Sequence, residues 1–135
     1  MRDAITIETA LFEHRDPKPN FINPCCFGED FAVWLSRELA PLVDDGFTLS
    51  NPIQEDYGWG LWASHEKDPF WIALSCVDDE PKAESAQWVV SIDYDAGLNV
   101  FKRLFQKPDQ QAFTVLRDRL WHTLKSNPAI RIVEL

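Results

Sequence analysis

The chain has 135 residues, 45% of them apolar and 13% aromatic, and a formal net charge of −9. At that length one domain is expected, with roughly two-thirds of the unfolded surface buried on folding, so an intrinsically disordered chain is excluded. The acidic balance excludes a general nucleic-acid reader, which needs a basic face; only residues 101–135 are net basic.

No apolar run approaches the ~20 residues that span a bilayer. The chain opens Met1-Arg2-Asp3 and then alternates, without the apolar region of a signal peptide. Three cysteines, an odd number with no framework spacing, do not describe a secreted disulfide scaffold. A cytoplasmic protein without membrane contact is expected.

Ala4–Phe12 alternates, with Ile5, Ile7, Thr9 and Leu11 on one side, and predicts a strand. His14–Pro24 holds Pro17, Pro19 and Pro24 and reads as a loop. Gly28–Val43 predicts the first helix, with Phe31, Trp34, Leu35, Leu39 and Leu42 as its apolar stripe. Glu29 and Asp30 suit its first turn. Pro41 kinks or ends it, and Asp44-Asp45-Gly46 stops it.

Phe47–Gln54 predicts a short strand and Tyr57–Ser64 a longer one, followed by a turn at His65–Pro69. Phe70–Val77 is apolar on both sides, as a central strand would be. Asp78–Ser85 is an acidic loop, and Gln87–Tyr94 alternates again through Trp88, Val90 and Ile92. Leu98–Gln106 suits a short helix. Pro108 opens a long helix over Asp109–Asn127, with Phe113, Leu116, Leu120 and Leu124 as its stripe. Ile130–Leu135 is either a last strand or a packed tail.

Consecutive strands with short turns pair as an antiparallel meander, and amphipathic helices must cover one face of it. The expected fold class is α+β, a two-layer sandwich. Its sheet would have about four to six strands with two long helices on one face, in the order β-α-β-β-β-β-α, with or without a final strand.

Chemistry-bearing patterns are sparse. No C-x-x-C or H-x-x-x-H spacing occurs among Cys25, Cys26, Cys76, His14, His65 and His122, as zinc would want. The run from Asp93 to Asn99 lacks the sixth-position glycine and twelfth-position acid of a calcium loop. No G-x-S-x-G, P-loop or G-x-G-x-x-G is present. No cofactor or metal is implied. Cys25 and Cys26 precede the first helix, where its N-terminal field would lower a thiol pKa. A thiol enzyme would also need a histidine brought near by the fold.

The least ordinary stretch is Asn51–Trp62, NPIQEDYGWGLW. In an extended strand Tyr57, Trp59 and Leu61 share one face, and Gly58, Gly60 and Trp62 the other. Two glycines side by side leave a trough that a ring, a backbone or a ligand can enter. Trp59, Trp62 and Trp71 fall on neighbouring strands, so alternation cannot send all three inward.

The function expected from these features is a non-catalytic binding module for a basic protein partner. Its surface is placed at Glu55, Asp56, Tyr57, Trp59 and Trp62, with Asp78, Asp79 and Glu80 nearby. Acids select and speed such an encounter, and tryptophan anchors it. In its small, acidic, tryptophan-rich profile the chain is similar to bacterial immunity proteins, which neutralise partner toxins. That likeness rests on composition and carries over no site residue. The alternative is a small-molecule pocket between sheet and helices, lined by Trp59, Trp71, Trp88 and Phe113, with a minor enzyme using Cys26 or a carboxylate as one version. A homodimer using the outer sheet face is a third reading; monomer and homodimer are both compatible with the sequence.

Overall fold

The computed structural model describes residues 1–77, 84–95 and 108–134. Among them the chain forms β1 (Arg2–Thr9), α1 (Glu29–Glu38), a 3-10 turn (Ala40–Asp45), β2 (Phe47–Leu49), β3 (Ile53–Glu55), β4 (Gly58–His65), β5 (Asp68–Cys76), β6 (Ala86–Tyr94), α2 (Gln110–Lys125) and β7 (Ile130–Glu134). The short helix expected over Leu98–Gln106 and the acidic loop from Asp78 lie outside the described residues.

The seven strands make one antiparallel sheet in the order β2-β4-β5-β6-β1-β7, and β3 also pairs with β4 beside β2. The α+β class therefore holds, but the sheet is not a plain meander of four to six strands. The expected strand Phe47–Gln54 splits into β2 and β3, both edge partners of β4. Asn51-Pro52 lies in the gap between them, where proline supplies no ladder donor. The C-terminal stretch is the strand β7, and β1 lies between β6 and β7. The N-terminal strand is thus an interior strand, and the two chain ends complete the sheet together.

Register divides the side chains into two sets. The inner set includes Ile5, Ile7, Leu61, Phe70, Ile72, Leu74, Trp88, Val90 and Ile92, all at most 1% exposed. They meet Phe31, Leu35 and Leu39 of the first helical segment and Phe113, Leu116, Leu120 and Leu124 of α2 in one apolar core. Both helices therefore cover the same face of the sheet, as expected. The first is shorter than its stripe suggested. Its α-helical part ends at Glu38, and Pro41 sits in the first turn of the following 3-10 segment, because proline cannot donate to the carbonyl four residues back. Gly46, with φ 89°, closes that segment in the left-handed region.

The long helix α2 is capped by Asp109, whose side chain accepts from the backbone N–H groups of Gln111 and Ala112. Its start is tied to the sheet by Asp68, which is 5% exposed and whose Oδ2 accepts the Asp109 N–H at 3.0 Å. No helix among the described residues is long and apolar enough to cross a membrane.

Candidate binding face of the sheet

The helices leave the other face of the sheet without a covering element among the described residues. Its side chains fall into transverse rows fixed by register. One row runs Trp62, Trp71, Asp93, Arg2, and the next runs Ile53, Gly60, Ala73, Ser91, Ala4. The first row is bulky and charged, and the second, after Ile53 at its edge, is a floor of small residues.

The aromatic end of this face is built by the β3–β4 hairpin. Glu55 and Gly58 are opposed, with Asp56-Tyr57 as the turn. The Trp71 indole lies against the Cα of Gly60, where a Cβ would collide with its ring. Trp62 and Trp71 rings sit 4.9 Å apart at 57°. The Trp71 indole N–H donates to the Tyr57 hydroxyl at 2.8 Å. Burial raises the Tyr57 pKa above its ordinary value, against the lowering effect of the Trp71 bond, and the Glu55 charge adds to the rise. Glycine is thus filled across the strand by tryptophan, a device that also fixes register.

Beyond Trp71 the face opens into a trough of about 390 Å³. Tyr57 and Trp71 border it on one side and Arg2 and Asp93 on the other, over a floor that includes Ala73, Ser75, Val89 and Ser91. Ile53, Tyr57 and Val77, around this region, are at least 36% exposed.

The hairpin is clamped from behind by the loop before α1. Gln54 accepts the Ile22 N–H at 2.7 Å and donates to the Asn20 carbonyl at 3.1 Å. Asn23 donates to the Asp56 carbonyl at 2.9 Å. The Trp59 indole N–H donates to the Cys26 carbonyl at 2.9 Å. The Cys26 sulfur lies 3.0 Å from the Glu55 carbonyl oxygen and 3.3 Å from that of Gly58, and its S–H is shared between them. Such bonds hold the hairpin in one geometry, and an element fixed in this way has a lower ordering cost for any binding.

The sequence-derived site residues divide accordingly. Trp62 and Tyr57 lie on the open face, Glu55 points to the same face at the end of β3, and Asp56 is exposed in the turn. Trp59 does not belong to that surface: it is 6% exposed, on the core side, with its N–H used. Tyr57 leaves the face expected for it because the strand begins at Gly58, whose φ of 154° breaks the alternation. Asp78, Asp79 and Glu80 lie outside the described residues.

Of the four residues expected to line a pocket between sheet and helices, three lie on the core side and Trp71 does not. Trp88 is fully buried, Trp59 and Phe113 are each 6% exposed, and Trp71 lies on the opposite face. Arg2, Ser91 and Asp93 are not singled out by the sequence as a site, and Trp71 is expected only as a wall of the pocket between sheet and helices. The signal available was parity: outward positions on β5 and β6 read Trp71, Ala73, Ser75 and Gln87, Val89, Ser91, Asp93.

Cys26 is fully buried, and desolvation chiefly, with the Asp56 charge second, pushes its thiol pKa up. The expected activation by the helix N-terminus is therefore reversed, since a buried thiol resists ionisation. Cys25 is exposed. Iodoacetamide near neutral pH is expected to alkylate Cys25 in the native protein and leave Cys26 unmodified, as read by peptide mapping. Equal labelling of both would show that the Cys26 loop opens readily. Among the described residues no group of three or more histidine, cysteine or acidic side chains is arranged to hold a metal ion. No family model, curated protein or solved structure matches the chain.

Proposed function

We propose that the chain is a non-catalytic binding module whose open sheet face engages a basic protein partner. The observation that carries this reading is the grouping of Tyr57, Trp62 and Trp71 on the face that no described element covers, with the acids Glu55, Asp56 and Asp93 around them. Half-exposed aromatics seated on a rigid sheet supply anchors, and rim acids select a partner of opposite charge and speed its arrival. The chain's net charge of −9 works in the same direction. It also works against pairing this face with a second copy, which would bring like charge to it.

The test is a pull-down from native lysate at low and high salt, read by mass spectrometry. Three proteins are compared: wild type, the double variant Glu55→Gln/Asp56→Asn, and Trp71→Ala. The expected result is a basic protein retained by wild type at low salt, released at high salt, and weakened by both variants. The charge variant should reduce the salt dependence, because rim charges act through screened long-range attraction. If both variants retain the same proteins with the same salt profile as wild type, the face is wrongly placed.

A further inference from the structure

We infer that the trough between Trp71 and Asp93 is the anchor pocket for one arginine side chain of that basic partner, an inference that rests on the function proposed above. The space, about 390 Å³, lies at the small end of the roughly 300–1,000 Å³ typical of ligand pockets. It suits a single extended side chain better than a folded segment.

Its chemistry is split along its length. The floor at Ala73 and Val89 is apolar and takes a methylene stem. One wall is the Trp71 indole, immobilised by Gly60 beneath it, Trp62 beside it and the bond to Tyr57. The opposite rim carries the Asp93 carboxylate, which has no ion pair among the described residues.

A cation between an aromatic ring and a carboxylate is attracted by both. Arginine fits this pairing better than lysine, because a planar guanidinium can stack on an indole while presenting parallel N–H groups to a carboxylate. An anionic guest such as a phosphate would instead meet Asp93 at the rim and Glu55 and Asp56 by the hairpin.

Arg2 decides the sign of the test. It opposes Asp93 in register across β1 and β6, yet no ion pair joins them among the described residues. The Arg2 charge beside that carboxylate repels a guest arginine, so removing Arg2 should help it. A guest that carried an anionic group would use Arg2, and removing it would hurt.

The experiment is a titration of the full chain with N-acetyl-arginine amide, followed by the tryptophan indole N–H resonances in two-dimensional NMR. N-acetyl-norleucine amide is the apolar control, and Trp71→Phe assigns the Trp71 signal. The arginine probe is expected to move the Trp71 indole resonance at concentrations where the norleucine probe does not, while the buried Trp59 and Trp88 signals stay in place. Asp93→Asn should weaken the probe about three- to fivefold, and Arg2→Ala should strengthen it about twofold, as fits partly exposed charge pairs.

No selective shift at Trp71, or weaker binding in Arg2→Ala, overturns the assignment. If the probe fails while retention of a basic protein still depends on Glu55 and Asp56, the pocket assignment falls and the binding module stands. If both fail, both fall.

Discussion

Gly58→Ala is expected to destabilise the fold by about 2–6 kcal/mol, the sum of backbone strain and steric overlap of about 1–3 kcal/mol each. Gly58 has φ 154°, a conformation L residues rarely adopt, and a Cβ there would overlap the carbonyl oxygen of Leu74 on β5 and stand 3.3 Å from that of Phe27. Neither neighbour is the far end of a flexible side chain, so the strand or the loop must move. Urea unfolding monitored by tryptophan fluorescence would measure the loss, and thermal unfolding should show a fall in midpoint temperature of ~6–30 °C at this size. Gly60→Ala should cost less in backbone conformation, since its φ is ordinary, but the Ile72 carbonyl oxygen lies 2.5 Å from the new Cβ and the Trp71 ring loses its seat. The two variants separate fold from function: Gly58→Ala acts first on stability, and Gly60→Ala disturbs the aromatic wall of the trough even where the protein remains folded. A Gly58→Ala protein melting within a degree or two of wild type would mean that β4 and β5 do not approach as described.

The parts of the fold that were legible are those where side-chain period and burial coincide. Ile5 and Ile7 on β1, Trp88, Val90 and Ile92 on β6, and Phe31, Leu35, Leu39 and Leu42 before β2 all face the core, as their spacing required. The strand order was not legible. Nothing local in Arg2–Thr9 says that it will lie between β6 and β7, because that pairing is decided by contacts more than seventy residues apart.

The candidate site was half legible for a related reason. Alternation correctly separated Trp59 and Leu61 from Gly60 and Trp62, but it could not say which set faces the helices. Trp59 was therefore counted with the surface, although it is the core member of the pair. Tyr57 failed because a positive-φ glycine after it resets the direction of its side chain. Asp93 and Arg2 carry no motif at all. They become a pair only when β1 docks on β6, and no pattern within either strand announces it.

Trp88→Ala is expected to cost about 3–5 kcal/mol, and Trp88→Phe no more than about 1 kcal/mol, a difference that follows from two opposing effects. Trp88 is fully buried on the core face of β6 and stands edge-on to Phe31 at 5.4 Å and 83° and to Phe12 at 6.3 Å and 87°. Phe12 and Phe31 are themselves stacked at 4.2 Å, so the indole joins β6 to α1 and to the start of the loop that clamps the hairpin. Alanine removes that junction and leaves a cavity that close-packed neighbours fill only in part. Phenylalanine keeps a ring in place. It loses some volume, but it also removes the Trp88 indole N–H, which is buried without a hydrogen-bond partner among the described residues. An orphan buried donor costs about 1–3 kcal/mol, which offsets most of a partial cavity of similar worth. Urea unfolding of the two variants, with iodoacetamide labelling of Cys26 as a local probe, checks the argument. Trp88→Ala should lower stability and expose Cys26 to labelling, because the loop loses its support, whereas Trp88→Phe should do neither. Equal losses in the two variants would mean that the indole N–H is satisfied and that this part of the core is held by more than ring packing.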